Sequence, residues 1–202
     1  LGIAALITLA ETPERSALRG SAMLMLSELY VEEEEAPSIS RALTVLAALD
    51  AEYPPIAEFK FVYGRTLADS GRYDEAEPLL RAAIELRPDL LQTYMYLGSL
   101  LVDSGRADDA ALVYTQYESV LQILLSTLSD ASTALPQRLT VLEALGLATP
   151  DERITSALVS LLQSDELPLA GGAVQVLAMV GTAEAVLPLR RLASESSVEQ
   201  LQ

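Results

Sequence analysis

The sequence predicts an all-α fold, a solenoid built from helix–turn–helix units, and three observations support this prediction. Residues 67–76 (LADSGRYDEA) recur 34 residues later as residues 101–110 (LVDSGRADDA), and a repeat of this length is typical of stacked helix pairs. Apolar residues along the chain follow helical spacing. Half of the 202 residues are hydrophobic, which is enough for a core that continues from each unit to the next.

The N-terminal residues 1–22 are expected to form capping helices. Residues 1–10 (LGIAALITLA) are too short to span a bilayer and lack the basic flank of a signal peptide, so we expect a core helix there. Residues 12–14 (TPE) predict a helix restart with a threonine cap and a proline in the first turn. The restarted helix is expected to run out near the glutamates at 32–35, with Pro37 as its stop; the glutamates fit a solvated helix end or, alternatively, a site for a cation or basic peptide.

Residues 57–90 form the clearest unit. Gly64 and Ala76 are small, which predicts that the two helices of the unit cross closely at these positions. Gly71 is expected to provide the turn between them, because glycine adopts the left-handed backbone conformation at helix ends. Pro88 is expected to end the second helix, since proline cannot continue one.

This pattern resembles the tetratricopeptide (TPR) repeat, and the resemblance implies that the all-α solenoid is a right-handed superhelix. The matching positions of residues 57–90 are Tyr63, Gly64, Leu67, Gly71, Tyr73, Ala76, Leu80, Ala83 and Pro88. Residues 91–128 repeat the pattern, but Gln122 replaces the terminating proline, which predicts one long helix over about 107–128. Residues 23–56 resemble a degenerate or capping TPR, because Tyr30 stands where a small residue is expected.

The period changes in the C-terminal part of the chain. Residues 141–146 (VLEALG) recur 35 residues later as 176–181 (VLAMVG), and residues 149–152 (TPDE) predict a capping box that opens another helix. This succession of helices resembles HEAT-type repeats of the kind found in bilin lyases. The resemblance implies that residues 135–202 continue the solenoid as HEAT-like helix pairs.

Two local features of this C-terminal part have more than one interpretation. Residues 129–136 (SDASTALP) form the one plausible linker in the sequence, and it is short. Gly171 and Gly172 lie inside a predicted helix, where each costs about 1 kcal/mol relative to alanine. A close helix contact would account for the glycine pair, and a flexible joint is the functional alternative.

The residue inventory argues against an enzyme. The chain has no cysteine and no histidine, which excludes disulfides and the commonest zinc ligands and catalytic bases. It has no glycine-rich phosphate loop. Asp69 and Asp103 occupy equivalent repeat positions, so a paired-carboxylate or metal site is conceivable, but we interpret both as parts of the turn. We expect no catalytic residue, no metal and no cofactor.

The charge limits the partners. A formal net charge of −16 repels phosphate backbones and anionic lipid, so we expect no nucleic-acid binding and no membrane insertion by this segment. The charge favours a basic partner or simply solubility. The compartment stays unknown, and we expect a soluble protein of the bacterial cytoplasm or periplasm.

The TPR resemblance implies that a protein or peptide partner binds the concave face, which is lined by the first helix of each repeat. The positions expected on this face are Glu58, Phe61, Arg65, Gln92, Met95, Ser99 and Val102. Phe61 and Met95 are expected to be exposed apolar anchors beside Arg65, unless flanking helices cover them. The clamp that other TPR proteins use for acidic C-termini is not expected, because only Arg65 among the clamp positions is basic.

Three function hypotheses follow. The first is a non-enzymatic scaffold or adaptor that holds a peptide or helix in the TPR groove. The second is a bacterial secretion- or assembly-type chaperone with a dedicated client protein. The third is a self-assembling structural solenoid, in which exposed ends stack into homodimers.

Overall fold

The computed structural model describes residues 16–32, 36–53 and 55–199. Within these ranges all regular secondary structure is helical, with ten α-helices and one 3-10 turn (Ala183–Ala185). The helices are α1 Ser16–Glu32, α2 Ala36–Glu52, α3 Ala57–Asp69, α4 Tyr73–Leu86, α5 Leu91–Asp103, α6 Ala107–Ser129, α7 Leu135–Leu145, α8 Glu152–Leu161, α9 Leu167–Val180 and α10 Val186–Glu199. The expected helix at residues 1–10, the restart at 12–14 and the acidic side chains at 32–35 lie outside the described residues or side chains.

The chain divides into two compact units. Unit 1 consists of Leu1–Pro88 and Thr93–Val113, and unit 2 consists of Asp89–Gln92 and Tyr114–Gln202. The division falls inside α6, whose 23 residues confirm the predicted long helix. Apolar periodicity without a terminating proline lets this helix continue beyond the end of the repeat. The finer division into repeats, at the boundaries given above, stays a prediction.

The α3–α4 pair of unit 1 has the close helix crossing that the small residues predict. A Cβ atom on Gly64 would lie 2.9 Å from the Leu80 Cγ and 3.2 Å from the Ala76 carbonyl oxygen. Ala76 and Leu80 are fully buried. A larger residue than glycine at position 64 would therefore push the two helices apart.

The repeated turn is also confirmed. Gly71 and Gly105 both have φ of 75°, a conformation that glycine adopts without a steric cost. After each glycine, a backbone N–H returns to the end of the preceding helix: Arg72 donates to the Leu67 carbonyl at 2.9 Å, and Arg106 donates to the Leu101 carbonyl at 2.8 Å. These bonds satisfy carbonyl groups that have no partner within the helix.

Pro37 starts a helix rather than stopping one. The expectation that it ends α1 is wrong, because α2 begins at Ala36 and Pro37 lies in its first turn, where the missing N–H has no partner to lose. Helices α1 and α2 pack through buried Ala22, Leu26 and Ala42, together with Tyr30. The large Tyr30 is thus part of the core between α1 and α2.

Unit 2 contains the two shortest of the described α-helices, α7 with 11 residues and α8 with 10. The capping box expected at 149–152 is wrong in its detail: the N-cap of α8 is Asp151, whose carboxylate accepts the Arg153 N–H at 2.8 Å, so Pro150 precedes the helix. Gly172 has the expected close contact, since a Cβ atom there would lie 3.0 Å from the Leu142 Cδ1. No atom lies within 4 Å of a Cβ built on Gly171.

A buried arginine joins three helices of unit 2. Arg138 on α7 is 6% exposed. Its Nε donates to the Leu128 carbonyl near the end of α6 at 3.0 Å, and its Nη1 forms an ion pair with Glu166 just before α9. The guanidinium therefore satisfies a helix-end carbonyl and a carboxylate at once.

Candidate functional site

The candidate binding surface lies on α3 and α5, the first helices of the two best-defined repeats. Six of the seven residues expected there belong to unit 1. Gln92 belongs to the short segment 89–92 that groups with unit 2. The other six are Glu58, Phe61, Arg65, Met95, Ser99 and Val102.

Phe61 is a packing residue and offers no exposed face. It is 3% exposed, and its ring meets the Tyr96 ring edge-to-face, with centroids 5.5 Å apart at 74°. The Arg65 Cζ lies 5.6 Å from the Phe61 centroid, within the range of a cation–π contact. The expectation that Phe61 is an exposed anchor is wrong, because Tyr96 and Arg65 cover it. Binding of a partner by the α3–α5 residues stays a prediction.

The accessible part of this surface is on α5. Met95, Ser99 and Val102 are spaced at i, i+4 and i+7 and therefore share one helix face; we call them the α5 stripe. Val102 is 51% exposed, Ser99 is exposed and Met95 is half-buried. Tyr96, the residue after Met95, contacts Phe61 and so joins α5 to α3. The α5 stripe thus presents exposed apolar surface, chiefly Val102, on a helix that packs against α3.

The charged groups on α3 have their own environments. Glu58 forms an ion pair with Arg87, which follows α4. Arg65 lies over Phe61 and forms no ion pair among the described residues. Burial raises the pKa of the Asp69 carboxyl, and the charge of Arg65 partly opposes this shift. The guanidinium of Arg65 is therefore the cation of α3 that a partner carboxylate could approach.

The repeated Asp-Ser-Gly turn uses its serines rather than its aspartates to bond the helix end. The Ser70 hydroxyl donates to the Thr66 carbonyl at 2.7 Å, and the Ser104 hydroxyl donates to the Leu100 carbonyl at 2.8 Å. In the part of the chain that the structure describes, no group of three or more carboxylates is placed to hold a metal ion. The sequence had pointed to the aspartates, but serine at the same repeat position is the signal for this bond.

A network of surface charges joins the two repeats of unit 1. The Arg106 guanidinium contacts Glu77 of α4 at 2.6 Å and Asp109 of α6 at 2.7 Å. Glu77 also contacts Arg81 at 2.7 Å. Burial raises the pKa of Glu77, but the hydrogen bonds from Arg106 and Arg81 outweigh this effect and hold it below its usual range. Sequence reasoning missed this network, although the recurrence of Arg72 at Arg106 was a signal for it.

Among the helices that the structure describes, none has the length and apolar character needed to cross a membrane.

Comparison with known proteins identifies the repeats of unit 1. The tetratricopeptide repeat model matches residues 38–90 and 64–119. A crystal structure of MamA superimposes with a TM-score of 0.52 at 17% identity, covering 95% of this chain and 89% of that chain. A second solved structure, MamA MSR-1 C2, has a TM-score of 0.48 at 21% identity, covering 85% and 84% of the two chains. No curated protein matches the chain.

These findings confirm the all-α solenoid fold and the TPR character of residues 38–119. TPR units are typically non-enzymatic modules for protein–protein interaction. The family match ends before α7. The HEAT-type interpretation of residues 135–202 therefore stays a prediction, although the described part of that region does consist of successive helices.

Proposed function

We propose that this chain is a non-enzymatic scaffold that binds a peptide or helix of a partner protein on the α3–α5 surface of unit 1. The observation that carries the proposal is the α5 stripe, where Val102 exposes half of its apolar side chain on the first helix of a TPR unit. Exposed apolar side chains, methionine and arginine are typical of interaction surfaces.

The geometry gives this surface two useful properties. Met95 and Val102 offer apolar contact area, and Arg65 offers hydrogen-bond donors for a carboxylate or backbone carbonyl. The edge-to-face contact of Phe61 with Tyr96 joins the two helices below the surface. A partner therefore meets a pre-organised site and loses less conformational entropy on binding.

The proposal leaves the partner and the process open. A dedicated client of an assembly chaperone and a regulatory peptide would use the same surface. The self-assembling solenoid is a different hypothesis, and it predicts that the mass of the purified protein rises with concentration in light scattering.

Photo-crosslinking tests the proposal. A benzoyl-phenylalanine residue is placed at position 102 in one variant and at position 112 in another, because Leu112 on α6 is also well exposed, at 66%. We expect a discrete crosslinked partner from position 102 in host lysate and none from position 112. Val102→Asp should abolish capture of that partner, while Leu112→Asp should leave it intact.

Two results would overturn the proposal. One is equal crosslinking from both positions, since this would indicate non-specific contact with exposed apolar residues. The other is a partner that Val102→Asp retains fully while circular dichroism shows unchanged helicity. In that case the binding surface lies elsewhere in the chain.

A further inference from the structure

The exposed apolar side chains of the described residues are concentrated in one part of unit 2. Eleven large hydrophobic residues are exposed, and five of them lie between residues 167 and 187. These five are Leu167, Val174, Met179, Val186 and Leu187. Val186 and Leu187 are adjacent at the start of α10, and contiguous exposed apolar surface often marks an interaction site.

A segment that overlaps this stretch carries more bases than acids, although the chain as a whole is strongly acidic. Residues 167–194 contain one acid, Glu184, and two bases, Arg190 and Arg191, in a chain of net charge −16; Glu195 is the next acid in the sequence. Arg190 and Arg191 are the only adjacent pair of cations in the sequence. Both are exposed on α10, and no ion pair of either is found among the described residues.

Most other described cations are already neutralised. Ion pairs with carboxylates are formed by Lys60, Arg72, Arg81, Arg87, Arg106, Arg138 and Arg153. The two arginines of α10 differ from this group because neither forms an ion pair with a carboxylate in the described part of the chain. An arginine without a carboxylate partner can donate hydrogen bonds to a carboxylate of another molecule.

A cleft between α8 and α10 brings the two features together. Its volume is about 420 Å³, and its apolar lining comes from Val159 and Leu162 on one side and Leu187 and Pro188 on the other. Arg191 and Glu184 are the charged residues at the cleft. Leu187 and Arg191 are one helical turn apart and so lie on the same face of α10.

We propose that this cleft and the exposed face of α10 bind an acidic amphipathic helix of a partner protein, at a site separate from the α3–α5 surface of unit 1. An apolar side chain of the partner enters the cleft beside Leu187. Carboxylates one turn away on the same partner helix pair with Arg190 and Arg191. This is helix-in-groove recognition, in which apolar anchors give contact area and charges give orientation.

The two arginines of α10 favour an acidic partner. A basic helix would meet the guanidinium groups of Arg190 and Arg191 at this surface, and like charges placed together cost binding energy. An acidic helix is repelled by most of this chain, because the chain is itself strongly acidic. Residues 185–194, which contain Arg190 and Arg191 and no acid, are therefore where such a helix is accepted, and the rest of the surface improves selectivity.

The test uses the full chain and a fluorescein-labelled synthetic helix of about 18 residues, with leucines on one face and glutamates on the others. Fluorescence anisotropy is measured in buffer of moderate ionic strength. We expect Arg191→Glu to weaken binding by about tenfold or more and Leu187→Ser to weaken it similarly. Added salt should also weaken binding, since part of the attraction is electrostatic.

Two matched controls separate local contact from general effects. Arg41→Glu on α2 removes an exposed arginine of unit 1 that also lacks an ion pair among the described residues, and it changes the net charge by the same amount as Arg191→Glu. Leu112→Ser removes an exposed leucine of similar accessibility. Both controls should keep the wild-type affinity for the acidic helix.

Three outcomes would overturn the proposal. The first is that the acidic helix does not bind the wild-type chain. The second is that Arg41→Glu weakens binding as much as Arg191→Glu, because the effect would then come from overall charge. The third is a molecular mass that rises with protein concentration without peptide and no longer rises in Leu187→Ser, which would assign this face to a second copy of the chain. None of these results bears on crosslinking from position 102.

Discussion

Units 1 and 2 join their helices by different means. In unit 1 the chain turns through glycines with φ of 75°, at Gly71 and again at Gly105. In the described part of unit 2 no glycine has a positive φ. Its helix ends are instead held by particular side chains, of which Asp151 caps α8 and Arg138 bonds the end of α6.

This difference explains why one half of the chain is easier to recognise than the other. Only glycine adopts the left-handed conformation cheaply, so a turn of this kind constrains the sequence at a fixed position in every repeat. A helix end that accepts a hydrogen bond from a distant side chain leaves the residue type and position free to vary. The tetratricopeptide match accordingly ends at residue 119, before the region that depends on such bonds.

Removing the buried arginine of unit 2 should have the largest effect. Arg138→Ala leaves the Leu128 carbonyl and Glu166 without their shared donor and opens space on a buried face of α7. We expect a loss of about 2–3 kcal/mol in the free energy of unfolding, since hydrogen bonds to charged groups contribute at this level. Urea unfolding measures the loss, and hydrogen exchange should place the lost protection in α7.

The control for this variant is an arginine whose side chain forms more hydrogen bonds but is less buried. Arg153 bonds Asp151 and Glu118, yet half of its side chain is exposed. We expect Arg153→Ala to cost below about 1 kcal/mol, because exposed ion pairs are screened by solvent. Equal losses in the two variants would contradict the view that burial makes Arg138 important.

A pair of glycine substitutions should separate the two units by the sign of their effect. Gly64→Ala in unit 1 places a Cβ against Leu80 and the Ala76 backbone, and overpacking of this kind costs about 1–3 kcal/mol. Gly171→Ala in unit 2 meets open space and should stabilise α9 by up to about 1 kcal/mol through helix propensity. Urea midpoints measure both; destabilisation by Gly171→Ala would reveal a need for backbone freedom at that joint.

Much of the fold follows from the sequence because its signals are local and repeated. The 34-residue recurrence, the turn at Gly71 and the small Gly64 all predicted features that the structure has. Pro37 was misread, because proline both ends helices and opens them, and the sequence does not distinguish these uses until the next helix start is known. The N-cap of α8 was predicted at the wrong residue for a similar reason, since Thr149 and Asp151 are both good N-cap residues.

The candidate site was harder to predict than the fold. Spacing placed Phe61 on the same helix face as Arg65, but spacing does not reveal that the Tyr96 ring packs against it. Arg138 was also missed, although it shares one helix face with Val141, Leu142 and Leu145. A charged residue on an apolar stripe is a signal for a buried pair, and its partner, Glu166, is far away in sequence and becomes evident only in the folded chain.

The smallest effect should come from the surface network of unit 1, and it should depend on pH. Arg106 and Arg81 hold the pKa of Glu77 below its usual value of 4.5. The stabilisation from Glu77 is therefore complete above the pKa of the unfolded chain. It is lost as the pH falls through the folded pKa, because the carboxylate must then take up a proton.

Glu77→Gln should therefore lower the urea midpoint at pH 7, and its difference from wild type should shrink as the pH is lowered. High salt at pH 7 should reduce the same difference, since both partners are near the surface. The control is Glu85→Gln on the same helix. Glu85 forms no ion pair among the described residues, so this substitution should leave the urea midpoint at pH 7 unchanged. A Glu77→Gln difference that persists in acid would mean that Glu77 acts through packing, and the repeats of unit 1 would then be joined by helix contacts rather than by charge.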